Sequence, residues 1–403
     1  MEKKKNDFIA QGSILAIASI LVRVMGMIYR IPMTAIIGDK GNGFYSYAYS
    51  VYTILLLLSS YSLPLAVSKM VSAKAQLGQW RNVKRVFICA IAFAIGIGTT
   101  FGLIVLIGAQ FFTRVFFHSE LAAIALRFMA PTILIMALLG VFRGFFQGLQ
   151  NTLPTAVSQI VEGLINAIMS VVFAYFLFDF GHGMDVASGT TDLGYAWGAA
   201  GGAIGTGAGA LAGLIFCFIL FVAYRKILAV NISRDKTGTQ QEYGDIFRLM
   251  LSIALPVILS TALYNLIELV DGSLFNNIMA SKGMEDVKDS MWGAYNAKAL
   301  LLVHIPVSIS SAMAVSLVPT LTAAYALGDE QTAKSKVHAI LRFISILAFP
   351  SAVGLLVLAN PIIKTLFSGD TSAASTYLQV VCPAVITFSF STITNSILQG
   401  IDR

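Results

Sequence analysis

Charge is scarce in this chain. Of its 403 residues only 12% are Asp, Glu, Lys or Arg, against about 25% in soluble domains. With 57% hydrophobic residues and a mean hydropathy of +0.79, the chain holds more apolar surface than a soluble core of this length hides. The soluble class is excluded, and a polytopic membrane protein remains. Cysteine is nearly missing too. Cys89, Cys217 and Cys382 each sit inside an apolar run without paired spacing, which indicates neither a disulfide framework nor a zinc site. The histidines (His118, His182, His304, His338) form no HExxH and no ligand cluster. There is no GxxxxGK[ST] loop, so the P-loop route of ATP hydrolysis is excluded. The loops are short, with no room for a glycosyl-transfer domain. The net charge of +7 does not signal nucleic acid, because the basic residues lie between apolar runs, where they report topology.

What is present is organised around residues 8–37, FIAQGSILAIASILVRVMGMIYRIPMTAII. About 20 apolar residues cross a bilayer, and this run has no acidic residue. It has two arginines, Arg23 and Arg30, seven apart and therefore on one helical face. A charge at mid-membrane costs roughly 2.5–3.5 kcal/mol on insertion scales. The face they share is expected to line water, a counter-ion or an anionic ligand; the alternative is snorkelling to a headgroup or structural pairing. MEKKKNDF precedes the run as in a signal peptide, but the run is too long and lacks a small-residue cleavage site, so an uncleaved first span is expected.

Further apolar runs give about ten spans, near 8–37, 44–66, 86–108, 121–142, 155–178, 195–223, 249–276, 291–318, 338–359 and 373–396. The first two are joined by a turn at 38–43, the fourth and fifth by the loop RGFFQGLQNTLP. Eighteen Lys and Arg, Arg143 and Arg403 among them, fall on the N-terminal side and five on the other, which places the N-terminus in the cytoplasm. Residues 65–85 match 315–335 at an offset of 250, pairing Ala73, Leu77, Gly78 and Lys84 with Ala323, Leu327, Gly328 and Lys334. At 252, Leu126, Pro131 and Gln147-Gly148 meet Leu378, Pro383 and Gln399-Gly400. Six spans separate the copies, so both keep one orientation, as in transporters with parallel repeats. The expected domains are a six-helix N-terminal lobe, 1–232, and a C-terminal lobe, 233–403, of about four helices, read as a shortened repeat.

Polar groups inside spans are the chemistry. Gln159, Glu162 and Asn166, at i, i+3 and i+7, form one stripe. Asn265, Glu268 and Asp271 are spaced three apart; the acids either carry function or neutralise Arg23 and Arg30. Lys298 precedes His304 by six residues, and His304 is read as a packing residue in preference to a proton carrier. Gly201, Gly205, Gly209 and Gly213 recur every four residues, a smooth ridge for close helix packing. Prolines 32, 64, 131, 256, 306 and 350 lie in or beside spans and suit a moving protein, though static membrane proteins have them too.

VRVMGMIYR in the first span, FRGFFQGLQNTLPTA after the fourth and SLVPTLTAAYALGD after the eighth resemble the polysaccharide-export branch of the multidrug/oligosaccharidyl-lipid/polysaccharide (MOP) superfamily, and within it the SpoVB and MurJ group of lipid II flippases. The resemblance implies an all-α, MATE-like V-shaped bundle of two lobes around a central cavity. It also implies basic residues of spans 1 and 8 facing that cavity, here Arg23, Arg30 and Lys298. Two departures stand out: the span 1 spacing is one residue longer, and Phe44, Tyr45 and Tyr47 stand where the pattern has an acid.

The residues and the resemblance converge on a flippase, not an enzyme, in the bacterial cytoplasmic membrane, working as a monomer among membrane lipids without cofactor, metal or nucleic acid. An undecaprenyl-pyrophosphate-linked saccharide is the expected partner. Arg23, Arg30 and Lys298 would bind the pyrophosphate, and Gln159, Glu162 and Asn166 would line the cavity. Glu268 and Asp271 are candidates for a coupling cation. The rivals are a cation-coupled multidrug antiporter of the same superfamily and a membrane-embedded transferase acting on lipid-linked sugars.

Overall fold

In lipid a backbone must satisfy its own hydrogen bonds, and the chain does so as helices throughout. The computed structural model describes the backbone of residues 2–60, 62–326, 328–369 and 371–400, and side chains from residue 18 onward except 257, 259–264, 312, 315–316, 318–320, 322–323, 325–326 and 399–400. Ala323, Leu327, Gln399, Gly400 and Arg403, used above for repeats and topology, lie outside the residues whose side chains are described. The order is α1 (Glu2–Ser60), α2 (Leu63–Gln76), α3 (Trp80–Phe117), α4 (Ala122–Gly148), α5 (Leu153–Ser188), α6 (Leu193–Arg234) and α7 (Tyr243–Ser281). Then come α8 (Glu285–Ala294), a π-helical stretch Tyr295–Leu300, α9 (Leu301–Ala326), α10 (Glu330–Val357), α11 (Ala359–Leu366), α12 (Ser372–Val381) and α13 (Ala384–Gly400). Among the described residues, six helices are long and apolar enough to cross a membrane, or seven if the bent pair α12–α13 is one span. The protein is a multi-pass membrane protein.

The helices overrun the apolar windows, because polar residues at their ends continue the helix beyond the hydrocarbon. The expected turn at 38–43 shrinks to a kink inside α1 at Gly38 (φ 61°, ψ −175°). A residue with a Cβ rarely adopts that backbone. Asn42 Nδ2 donates to the Gly38 carbonyl at 2.7 Å, and helix resumes at once. The expected loop RGFFQG is the last two turns of α4, so Arg143 is a helix residue, 9% exposed, and not a loop cation.

The glycine ridge of α6 does pack. A Cβ at Gly201 would meet the backbone of Phe173 and Ala174, at Gly205 that of Ser170, and at Gly209 that of Glu162 and Asn166. The backbones of α5 and α6 therefore touch along their length. The hydrophilic stretch expected as a boundary between halves is fastened to α3. Asn82, fully buried, donates to Thr239 O at 3.1 Å and accepts from Gln241 N at 3.0 Å. Asp235 accepts from Arg81 N at 2.9 Å, Thr237 N at 3.0 Å and Thr237 Oγ1 at 2.6 Å. Ile246 and Met250, in the first turns of α7, join the core of α2, α3 and α4. A separate core gathers α9, α10, α12 and α13 around Leu321, Ile344, Leu378 and Val385.

Two outcomes follow. Gly205→Leu is expected to destabilise the detergent-solubilised protein by about 1–3 kcal/mol through overpacking, read as a lower thermal midpoint. Gly96→Ala, with nothing within 4 Å of the added Cβ, leaves the midpoint unchanged or slightly raised. The Arg81 amide and both Thr237 donors hold the Asp235 carboxyl at about 2, below the ordinary carboxylate range. A depressed value stabilises above that range and is lost only as pH falls through about 2. Limited proteolysis should find residues 235–242 protected equally at pH 7 and pH 4, and Asp235→Asn should open them to cleavage at both.

Candidate functional site

Folding α1 back at Gly38 brings its second arm against its first, and α5 and α9 complete a cavity of about 490 Å³. Val22, Arg23, Gly26 and Arg30 of the first arm, Tyr49 of the second, Asn166 of α5, and His304, Ser308 and Ser311 of α9 line it. Arg23 is exposed to this space and Arg30 is half-buried. Among the described residues no ion pair involves either arginine. Both side chains line the cavity. A second chamber of about 180 Å³ adjoins the first, bounded by Arg30, Tyr45, Tyr49, Glu268, Asn296 and His304. Arg30 and His304 border both spaces.

The other expected site residues divide. Asn166 lines the cavity and accepts from Ser170 Oγ at 2.8 Å. Gln159 turns toward α1, with Ser19 Oγ at 3.5 Å from its Oε1. Glu162 is paired: Arg143 Nη2 lies 2.7 Å from its Oε2, while Arg143 Nε donates to Ser158 Oγ at 2.8 Å. Glu268 opens on the smaller chamber and accepts from Ser50 Oγ at 3.3 Å. Asp271, exposed, borders neither space. His304 stacks on Phe388, ring centroids 6.3 Å apart, with its other side to the cavity.

Lys298, the third of the expected trio, lines neither chamber. It is 1% exposed, and its Nζ sits 2.7 Å from Asp39 Oδ1 and 2.9 Å from Oδ2, away from both chambers. A buried ammonium needs a carboxylate, and the π-helical stretch that carries Lys298 changes the register, so that Lys298 meets α1 while Leu301 and His304 meet the cavity. This pair belongs to a latch where α1 kinks. A Cβ at Gly43 would strike Asp289 O and one at Gly293 would strike Asp39 O, so α1 and α8 touch backbone to backbone. Tyr47 stacks on Phe117 at 4.6 Å and donates to Asn276 Oδ1 at 3.1 Å. Lys288 Nζ donates to the carbonyls of Phe117 and His118, each at 2.8 Å. The cavity lies beyond the latch: at 1.5 Å per residue Arg30 is about 12 Å and Arg23 about 22 Å along α1 from Gly38.

Sequence reasoning missed the His304, Ser308 and Ser311 stripe, although its i, i+4, i+7 spacing was legible. It also missed Asp39, hidden in a supposed turn, and the Arg143–Glu162 pair, since Arg143 was counted as a loop residue.

Residues 8–324 match a family described as polysaccharide biosynthesis protein, and residues 286–374 match a second family of that description. The chain is 27% identical to the lipid II flippase MurJ of Bacillus subtilis, over 97% of this chain and 72% of that one. It is 23% identical to the stage V sporulation protein B of the same organism, over 99% and 74%. In fold it is similar to an inward-facing multidrug resistance MATE family transporter of the MOP superfamily, with a TM-score of 0.72 at 14% identity over 96% of this chain and 84% of that one.

The pair within the first helices gives a stability prediction. Arg143→Ala leaves the Glu162 carboxylate without its partner and should cost about 3 kcal/mol, at the low end for a buried pair because Glu162 is partly open. The double change Arg143→Met with Glu162→Leu should recover most of that loss in thermal unfolding.

Proposed function

The chain belongs to the polysaccharide biosynthesis protein family, and from that premise we propose that it flips an undecaprenyl-pyrophosphate-linked saccharide across the bacterial cytoplasmic membrane. The observation that carries this reading is the pair of guanidinium groups, Arg23 and Arg30, facing a cavity of about 490 Å³ inside membrane-spanning helices. Such a site suits a diphosphate. Arginine's planar fork makes bidentate, charge-assisted bonds to phosphate oxygens, and a dry bilayer around the cavity strengthens them. The basic lining opposes the cationic drugs of a multidrug antiporter.

The cycle is one of alternating access between lobes 1–232 and 233–403. In the conformation described, the latch of Asp39, Lys298, Gly43 and Gly293 closes one end, and the cavity serves the other. With the N-terminus cytoplasmic, as the Lys and Arg distribution indicates, the open end is cytoplasmic. The headgroup enters, Arg23 and Arg30 take the pyrophosphate, and the polyprenyl tail stays in lipid. Parting the latch then exposes the headgroup outside. Lys298 is a latch residue in this scheme and not a phosphate ligand. The step changes no covalent bond, and one monomer suffices. One elementary charge moved through 100 mV is worth about 2.3 kcal/mol, enough to bias the cycle. A coupling cation at Glu268 and Asp271 is the second reading. Arg30 in the same chamber as Glu268 and the outward position of Asp271 weigh against it, as does the lack, among the described residues, of any metal-holding group of three His, Cys, Asp or Glu.

The test is rescue of cells depleted of their own lipid II flippase, backed by flipping in vesicles. Arg23→Ala and Arg30→Ala should each lower activity at least about tenfold, the worth of a hydrogen bond to a charged group. Arginine-to-lysine changes should fall between, keeping charge but losing the fork. Full rescue by both alanine variants removes the pyrophosphate role.

A further inference from the structure

We propose that the smaller chamber is a sugar subsite, which takes the single saccharide unit attached directly to the pyrophosphate; this rests on the flippase reading of the larger cavity. The two spaces differ in charge. Arg23 borders only the larger one, Glu268 only the smaller, and Arg30 borders both. A diphosphate is drawn to Arg23 and Arg30 and repelled by Glu268, so it stays in the larger cavity. What fits beside a carboxyl group already held by Ser50 Oγ at 3.3 Å is a neutral group rich in hydroxyls. The carboxyl oxygens have lone pairs to accept several bonds from them.

The walls suit a pyranose. Tyr45 and Tyr49 stack with centroids 5.8 Å apart and planes 18° off parallel, and Tyr45 Oη is within 3.3 Å of Thr206 Oγ1, which fixes its ring. Rigid aromatic surface with a few placed polar groups is how small-molecule sites gain both area and orientation. Asn296 adds an amide held by its Nδ2 bond to Trp292 O at 3.1 Å. Asn296 and Leu300 both come from the π-helical stretch Tyr295–Leu300, an irregularity that recurs at functional sites. The volume of about 180 Å³ equals roughly six waters at about 30 Å³ each, room for one sugar ring and not two. Remaining units of a longer headgroup would lie in the larger cavity. The subsite thus reads the junction between phosphate and first sugar, and the protein discriminates glycosylated carrier lipid from bare carrier.

The experiment compares two probes on the full-length chain in lipid nanodiscs: undecaprenyl pyrophosphate, and the same lipid bearing one N-acetylhexosamine. Wild type is expected to bind the glycosylated lipid at least about tenfold more tightly, the worth of one to two hydrogen bonds to a charged group. Glu268→Gln and Asn296→Ala should each remove most of that preference while binding the bare lipid as wild type does. Equal affinity of the wild type for the two lipids overturns the subsite without reference to any variant. If bare-lipid binding is then still lost in Arg23→Ala, the flippase reading stands alone; if Arg23→Ala and Arg30→Ala both retain it, the parent reading falls. A sodium dependence shared by both lipids and abolished by Glu268→Gln would make the chamber a cation site and overturn the proposal.

Discussion

The cost of keeping an arginine's charge within a bilayer governs this structure. Arg23 and Arg30 have no carboxylate at ion-pair distance among the described residues, and both line the cavity between α1, α5 and α9. Three other buried cations among the described residues do have protein partners. Lys298 answers Asp39, Arg143 answers Glu162, and Lys288 spends its protons on two carbonyls. The contrast separates charges satisfied inside the protein from charges that line the cavity.

That contrast was only half legible beforehand. The class, the helical architecture and the face shared by Arg23 and Arg30 follow from composition and a spacing of seven, because a helix repeats its faces nearly every seven residues. Lys298 was assigned by resemblance and not by that rule, and it lies buried against Asp39. A π-helical stretch between Tyr295 and Leu300 shifts the face, and no periodicity rule includes it. Glu162 looked like part of a stripe with Gln159 and Asn166, yet its partner, Arg143, stood across an interface that a one-dimensional pattern does not show. Apolar windows also mark where a chain crosses lipid, not where its helix stops. The turn at 38–43 and the loop RGFFQG therefore turned out helical.

The glycines show the opposite case, where sequence and structure speak in the same terms. A period of four in α6 is a statement about one face, and α5 lies on that face with Ser170, Asn166 and Glu162 against it. This tight seam makes the wall that carries Asn166 stiff. The other cavity walls are α1, which bends at Gly38 and packs on α8 through Gly43 and Gly293, and α9, which follows the π-helical stretch.

The segment joining the two sets of helices is riveted beneath α3 by Asn82 and Asp235, and the first turns of α7 share the core of α2 to α4. α7 therefore serves two masters: its start is anchored to one set of helices, while Glu268, some 25 residues on, faces the chamber shared with the other. Mechanically it is a beam fixed at both ends, since Gly272 packs on Phe117 and Trp292 and Asn276 accepts from Tyr47 in the latch. A twist at Tyr243 is therefore carried along the helix to Asn276 in the latch.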